Sequence, residues 1–377
     1  MNRLNYISTW RVEELSGGWT AVNHHLHAQL GRRFEIHPLD GIDAPFVFHE
    51  KLLSKAMRTA GLKGIFAGYS TRRLDSLARL AEAGMDPTAA FNVFHGATPW
   101  LHVRCDKPYV CYVDSCFGTY MSVYHDAKAF DGRQLESLCA KEADFLSRAK
   151  AVFFNSQWAL DDCRRRYGIV GDNLHDVGLG GAFPHRMDPV TPAGDPYFLF
   201  TGYDFMGKGG EKAVNAFEKL QARYPECRLL ILGQKPPERY LRNSRVEYIG
   251  SISKSSEDGL RRIIELFSGA VCFLLPTSRD LVPLVLLEAS SVGCPVISTR
   301  KFGIPELVVD GVTGFLLEPE RIDEQLADCM ERIYTDPALR SSMGSEGVKH
   351  VMSRYTWDIM GDRILSILSD LRESGAL

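Results

Sequence analysis

Residues 271–299, VCFLLPTSRDLVPLVLLEASSVGCPVIST, hold the reading on which the fold turns. Val271–Pro276 is a short apolar run of strand length, and Pro295–Thr299 is a second, preceded by the turn residue Gly293. Between them Leu284, Glu288 and Val292 recur every four residues, the spacing of one helical face. Strand, helix and strand in this order form a crossover unit, the connection that parallel strands require.

The same alternation extends in both directions. Upstream, strand-like runs are Leu4–Trp10, Phe34–Leu39, Phe91–His95, Tyr109–Asp114, Ala151–Asn155 and Leu174–Gly178. The second half adds Tyr197–Thr201, Arg228–Gly233, Val246–Ile249 and Gly314–Leu317. The expected architecture is therefore α/β, with two Rossmann-like, doubly wound parallel sheets. Between the two sets lies FPHRMDPVTPAGDP, Phe183–Pro196, with four prolines in fourteen residues, a composition that suits an extended linker. The expected domains are 1–185 and 195–355, followed by a terminal helix at 356–377 with Trp357, Met360, Ile364 and Leu368 on one stripe. Ligands of such sheets gather beyond the carboxyl ends of the strands, so two domains facing each other would make a cleft for chemistry.

Composition narrows the function classes. Of 377 residues 45% are hydrophobic and 24% charged, with a formal net charge of −3. Residues 1–190 carry 22 basic and 21 acidic groups and residues 191–377 carry 22 and 26, so neither half has the basic footprint of nucleic-acid binding. The start, MNRLNYISTWRVEEL, lacks the apolar core of a signal peptide, and no apolar run approaches a membrane span. A cytoplasmic protein is expected. Nine cysteines without a C-x-x-C pair, Cys105, Cys111 and Cys116 the nearest together, are expected to be reduced and mostly buried.

Three stretches carry candidate chemistry. Ser16-Gly17-Gly18-Trp19 precedes the helix-like TAVNHHLHAQL; it is either a plain tight turn or a loop that brings backbone N–H groups to an anion. In YFLFTGYDFMGK, Tyr197–Lys208, the lysine stands at the mouth of a helix from about Gly210. It is either a solvated surface group or, with the helix's positive end, the partner of a phosphate or diphosphate. In the opening stretch, Asp280 follows a buried-looking strand, and Glu288 lies on an apolar helix face where a carboxylate needs a partner, structural or ligand. Eight helical residues span about 12 Å, more than the roughly 5–9.5 Å between the carboxyls of a glycoside hydrolase, so the two acids fit opposite ends of one long ligand better than one glycosidic bond.

Other signals weigh less. Gly178-x-Gly180-Gly181 is not followed by a helix and so fails as a dinucleotide loop. His24, His25 and His27 lack the i, i+4 spacing of a helical metal site, and His95 reads as a strand-end residue that could line a pocket. Residues 51–79 hold Lys51, Lys55, Arg58, Lys63, Arg72, Arg73 and Arg79 against Asp75 alone. This is a solvated face, a surface for an anionic membrane, or a receptor for an acidic acceptor.

The segment Thr201–Pro319 resembles the C-terminal domain of the family 4 retaining glycosyltransferases, which have the two-domain GT-B fold. The elements that carry the resemblance are Gly202, Lys208-Gly209, Pro276-Thr277, Asp280-x7-Glu288-Ala289, Gly293-Cys294-Pro295-Val296, Gly303-Ile304-Pro305-Glu306 and Asp310-Gly311-Val312-Thr313-Gly314. Gly17-Gly18, AKEADFLSRAKAVFFNSQW and VGLGGAF at 177–183 agree more loosely, and the terminal helix is similar to one that crosses back to the first domain.

The resemblance implies transfer of a sugar, with retention, from a nucleotide diphosphate donor to an acceptor in glycan, exopolysaccharide or lipid-linked saccharide synthesis. It implies that Lys208 holds the diphosphate, Glu288 the ribose hydroxyls and Asp280 the transferred sugar. Backbone amides near Leu281, Val282 and Leu284 would complete the cradle, with Ser251 and Ile252 beside the base and Gly17-Gly18 at the glycine loop. No D-x-D motif occurs, so neither metal nor cofactor is expected, and UDP-, GDP- and ADP-sugars all stay open as donors.

Departures from the family pattern are specific. Tyr203 stands where the family has a diphosphate-binding arginine, for which Arg104 or Arg279 are candidate replacements. Leu281-Val282-Pro283 replaces G-F-G, and Asp280 shortens a glutamate by one methylene. Asp114, at a strand end where many members carry a sugar-contacting histidine, is either an acceptor for a sugar hydroxyl or a cap on the next turn. These changes support one alternative, a donor-binding relative of weak or absent activity serving as a partner subunit. An epimerase or oxidoreductase fits the ordered motifs less well. The expected partners are a nucleotide-sugar donor and a glycan or lipid-linked acceptor, with peripheral membrane contact through 51–79 and no nucleic acid.

Overall fold

In the computed structural model, which describes residues 3–15, 17–45, 47–183 and 195–377, the apolar runs pair into two separate six-stranded sheets. The first comprises β1 (Arg3–Ile7), β2 (Glu35–Leu39), β3 (Phe91–His95), β4 (Tyr109–Val113), β5 (Ala151–Phe154) and β6 (Leu174–Asp176) in the order β2-β1-β3-β4-β5-β6. The second comprises β7 (Tyr197–Gly202), β8 (Arg228–Gly233), β9 (Val246–Gly250), β10 (Phe273–Leu275), β11 (Val296–Thr299) and β12 (Gly314–Leu317) in the order β12-β11-β10-β7-β8-β9. Every pairing is parallel. These are two doubly wound sheets, each reversing direction once, between β1 and β3 and between β7 and β10.

Each of the twelve expected runs contains a strand, and three of the strands, β1, β6 and β10, fall two or more residues short of the expected run. β1 stops at Ile7 because the Ser8 hydroxyl accepts the Trp10 N–H at 3.1 Å and turns the chain. β10 covers only Phe273–Leu275, closed by Pro276, which has no N–H to give to a ladder.

Of the described residues, 3–14, 19–178 and 360–377 form one compact unit and 15, 17–18, 179–183 and 195–359 form another. The boundary differs from the chain order in two places. The Gly17-Gly18 turn sorts with the second unit, and the last helix, Trp357–Glu373, sorts from Met360 onward with the first. That helix buries Met360, Ile364 and Leu368, and Arg363 donates to the carbonyl of Val177 at 3.2 Å. The expected linker lies almost wholly in 184–194, outside the described residues.

Each unit has its own core. In the first, Phe94, Tyr109 and Phe145 meet ring to ring at centroid distances of 4.8–5.7 Å around buried Cys111, Val152 and Phe154. In the second, Phe198, Phe200, Leu229, Ile231 and Ile297 fill the space between the sheet and helix Gly210–Gln221, which turns Phe217 and Leu220 inward. Burying each such side chain is worth about 1.5–3 kcal/mol, enough to hold the strand ends rigidly. All nine cysteines are unbridged, six of them buried.

Candidate functional site

The second sheet reverses at β7 and β10, so the loops that leave these two strands lie side by side. After β7, Asp204 organises a tight turn: its carboxylate accepts the Gly207 N–H at 2.9 Å and its carbonyl the Lys208 N–H at 2.9 Å. Gly209 follows with φ +81°, and a Cβ there would stand 2.1 Å from the carbonyl oxygen of Pro276. Only glycine lets the two loops approach so closely and still open the helix Gly210–Gln221.

After β10, the Thr277 hydroxyl oxygen accepts the N–H groups of Arg279 and Asp280, both at 3.2 Å, and turns Asp280 back. The result is an ion pair, Lys208 Nζ to Asp280 Oδ1, at 2.7 Å.

Glu288 lies on helix Leu284–Ser291 and is 6% exposed. The helix starts at Leu284, with Pro283 as its cap, so the estimate that Asp280 and Glu288 are separated by eight residues of helix does not hold: half of that separation is loop. The partner of Glu288 is a lysine and not a backbone amide. Lys254, between β9 and helix Glu257–Ser268, bonds Oε1 at 2.5 Å.

The two pairs share a pattern. Asp280 Oδ2 and Glu288 Oε2 are both buried with no hydrogen-bond partner among the described residues. Leaving a buried acceptor unsatisfied costs about 1–3 kcal/mol, more when it is charged. Two such oxygens, one on the loop after β10 and one on the helix that follows it, mark a surface shaped to receive hydrogen-bond donors.

The remaining sequence candidates fall around these pairs. Tyr203 is 67% exposed, and its hydroxyl meets Ser251 Oγ at 2.9 Å, which ties the loop after β7 to the loop after β9. Ile252 is partly buried beside it in sequence. Leu281 is buried and its carbonyl accepts the Gly303 N–H at 3.0 Å; Val282 is partly exposed. Leu284 begins a helix whose N-terminus has no side-chain cap, leaving its first amides to other acceptors. Gly17 and Gly18 have φ of +100° and +56°, and the Lys254 ammonium lies 3.8 Å from where a Cβ on Gly17 would be. Ser16 is outside the described residues. Of the two replacement arginines, Arg279 approaches Asp204 at 3.9 Å, while Arg104 is exposed in the first unit with its backbone N–H on Glu82.

The first unit has a cavity of about 750 Å³ at the carboxyl ends of its strands, walled by Trp10, Trp19, Tyr69, Tyr120, Asp43 and Asp114 among others. Asp114 follows β4 and is partly buried. Burial pushes its carboxyl up to about 6, opposed by a 3.3 Å hydrogen bond from Ser115 Oγ. The next helix, Phe117–Tyr124, is served by another acid: the Phe117 N–H donates to Glu142 Oε2 at 2.5 Å. Glu142 also accepts from Thr98 Oγ1 at 2.6 Å and Tyr167 Oη at 2.7 Å, and burial, reinforced by nearby Cys116, raises it to about 7. It thus pins two segments of the cavity wall, at Thr98 and at Phe117. His95 is buried in that wall with Trp19 stacked on it at 4.2 Å. Burial lowers its imidazole to about 3, so it is neutral.

Lys254 and Glu142 were not singled out by sequence. Glu142 shows the signal that exposed Glu288, a carboxylate on an apolar face with Leu138 and Phe145 at i−4 and i+3. Lys254 shows none. Among the described residues no cluster of three or more His, Cys, Asp or Glu could hold a metal ion, and His24 instead bonds the carbonyl of Val12 at 2.8 Å.

Residues 184–350 match the family described as "Glycosyl transferases group 1". Over 168 residues, 43% of this chain, it is 29% identical to the GDP-mannose-dependent monoacylated alpha-(1-6)-phosphatidylinositol monomannoside mannosyltransferase of Corynebacterium glutamicum. Over 249 residues, 59% of this chain, it is 26% identical to the alpha-1,3/1,6-mannosyltransferase ALG2 of Mus musculus. The chain spans about half the length of these curated relatives, 44% and 59%. Among solved structures, the sucrose-phosphate synthase of Thermosynechococcus elongatus superposes with a TM-score of 0.75 at 17% identity, covering 99% of this chain and 100% of that one. Anabaena Alr3699/HepE in complex with UDP superposes with a TM-score of 0.68 at 15% identity, covering 98% of this chain and 100% of that one. These likenesses and the two parallel sheets establish the GT-B fold.

Proposed function

Residues 184–350 match the glycosyl transferases group 1 family, and from that match we propose that the chain is a retaining glycosyltransferase using a nucleotide diphosphate sugar. The observation that carries the reading is the twin arrangement of Lys208–Asp280 and Lys254–Glu288, each acid with one buried oxygen left to accept a donor. Sugar and ribose hydroxyls are such donors. In this assignment Glu288 takes the ribose, Asp280 the transferred sugar, and Lys208 with the start of helix Gly210–Gln221 the diphosphate.

During transfer the bond from the anomeric carbon to the phosphate oxygen breaks, the diphosphate keeps the electron pair, and the acceptor oxygen bonds the same face of that carbon as its proton passes to the departing phosphate oxygen. Negative charge therefore grows on the diphosphate, where a fixed ammonium and helix dipole stabilise it without rearrangement. This supports a reaction that needs no divalent cation; EDTA should leave turnover unchanged, and loss of turnover restored by Mg²⁺ would refute that part. The cavity of the first unit, with aromatic rings beside Asp43 and Asp114, suits a saccharide acceptor.

We extend the reading to peripheral membrane contact. Helix Phe48–Thr59 buries only Ser54, while Phe48, Leu52 and Leu53 are 76%, 57% and 56% exposed beside Lys51, Lys55 and Arg58. No described helix is long and apolar enough to cross a membrane. No observation favours the alternative of an inactive partner subunit.

The test is a thermal-shift screen of UDP-, GDP- and ADP-sugars followed by assay of nucleoside diphosphate release. A shift with one donor and release with an acceptor are expected. No shift with any of them would end the assignment.

A further inference from the structure

Lys254 holds a place that the proposed reaction does not explain. Its side chain is three-quarters buried, at 25% exposure, and ordering so long a stem costs about 2 kcal/mol of rotamer freedom. Lys254 takes Glu288 Oε1 alone, and Oε2 stays buried and unpaired. An ammonium has three donors, and one of them is spent on Glu288. The same ammonium lies 3.8 Å from the Cβ position of Gly17, beside a turn whose two successive glycines have positive φ. Its chain neighbours Ser251 and Ile252 are three and two residues away, on the loop after β9 that Tyr203 ties to the loop carrying Lys208.

We propose that Lys254 is a donor-recognition residue that fixes Glu288 for the ribose with one N–H and offers its remaining N–H groups to the phosphates of the nucleoside diphosphate. The proposal rests on the donor-site reading above and adds to it a second cation. The charge balance points the same way. Lys208 and Lys254 are each matched by one carboxylate, so the two pairs together are neutral, and a diphosphate brings at least two negative charges. Both ammonium groups must then be shared between acid and phosphate. A lysine suits this better than an arginine, because its donors radiate from one point and are not committed to a planar fork.

The experiment compares a nucleoside with its diphosphate, uridine against UDP, guanosine against GDP or adenosine against ADP according to the donor screen, by calorimetry on the full chain. Lys254→Gln keeps a neutral donor for Glu288 and removes the charge. It should leave nucleoside affinity within threefold and weaken diphosphate affinity at least tenfold, while Lys254→Arg retains most of it. Equal weakening of both ligands would mean that Lys254 only holds Glu288, and no weakening of either would mean that it does neither; both overturn the proposal. If Lys254→Gln does not fold, Lys254→Met is read for the same change in the ratio of the two affinities. If the unsubstituted protein binds no diphosphate of any base, the donor-site reading fails first and this assignment falls with it.

Discussion

The two units are both doubly wound parallel sheets, with strand orders that differ on one side of the reversal, and they present different chemistry beyond their strands. In the second, the loops at the sheet's reversal hold the Lys208–Asp280 pair, and Lys254, after the edge strand β9, pairs with Glu288 on helix Leu284–Ser291. In the first, the equivalent ends line a cavity of aromatic rings with a neutral histidine and an acid raised to about 6. Topology decides where a ligand is met, and loop residues decide what kind. Under the proposed function the second unit's end stabilises charge that develops during the reaction, and the first unit's end receives the acceptor.

If that contrast is right, removing charge should hurt most in the second unit. Lys208→Ala should lower turnover by about 10²–10³-fold, the size of effect seen when one preorganised electrostatic partner of a transition state is lost. Melting temperature should fall modestly, since Lys208→Ala leaves the mostly buried Asp280 carboxylate without its ammonium. Steady-state release of nucleoside diphosphate measures it, and unchanged turnover would remove the diphosphate from Lys208. Glu288→Ala should instead abolish donor binding in the thermal-shift screen.

In the first unit the largest effect should be structural. Glu142 accepts three hydrogen bonds and braces two segments of the cavity wall, so Glu142→Ala strands the part-buried Thr98 and Tyr167 hydroxyls and the buried Phe117 amide. A loss of about 3 kcal/mol is expected from chemical denaturation. The pH dependence has a definite sign. With its ordinary value of 4.5 raised to about 7, the acid contributes stability that is complete below pH 4.5 and lost as pH rises through 7. The change is about 3 kcal/mol. Glu142→Gln should flatten the stability profile in that window, and an unchanged profile would show that the acid does not titrate there.

Most of the fold is legible in the sequence for a physical reason: fully buried parallel strands are continuous apolar runs, and the glycines and prolines that bound them are local signals. What escapes is set by side chains far apart in the chain. The Ser8 hydroxyl ends β1 before its apolar run does. Lys208 and Asp280 are readable because a Gly-Lys-Gly junction and a strand end place them. Lys254 sits in the polar run SISKSSEDG and acquires meaning only through a carboxylate 34 residues away. Glu142 could have been found by the logic applied to Glu288, as an acid on an apolar helix face.

A finer test of the contrast lies at Asp114. If it accepts a hydrogen bond from a sugar hydroxyl, its ionised form is the useful one, and acceptor affinity should rise as pH passes through about 6. Its own contribution to stability runs the other way, complete below the ordinary 3.8 and lost as pH rises through 6. Asp114→Asn should therefore lower acceptor affinity above pH 6 and leave little pH dependence between 4 and 7, about tenfold at most. A variant that binds acceptor as well as the parent at pH 7.5 would remove Asp114 from the site.

The smallest effect is expected on the outer face of the first unit, where it separates a binding surface from a merely solvated one. Phe48 and Leu52 are so exposed that Phe48→Ser with Leu52→Ser should move stability by no more than about 0.5 kcal/mol and leave donor binding untouched. Co-sedimentation with vesicles containing phosphatidylglycerol should fall several-fold, because insertion of two apolar side chains and attraction by Lys51, Lys55 and Arg58 act together. Raising salt from 0.05 to 0.5 M should weaken binding of the parent protein by shortening the Debye length. Binding that ignores salt, or persists on vesicles of phosphatidylcholine alone, would mean that the basic side chains take no part. A double variant that sediments as the parent does would place any membrane contact elsewhere on the molecule.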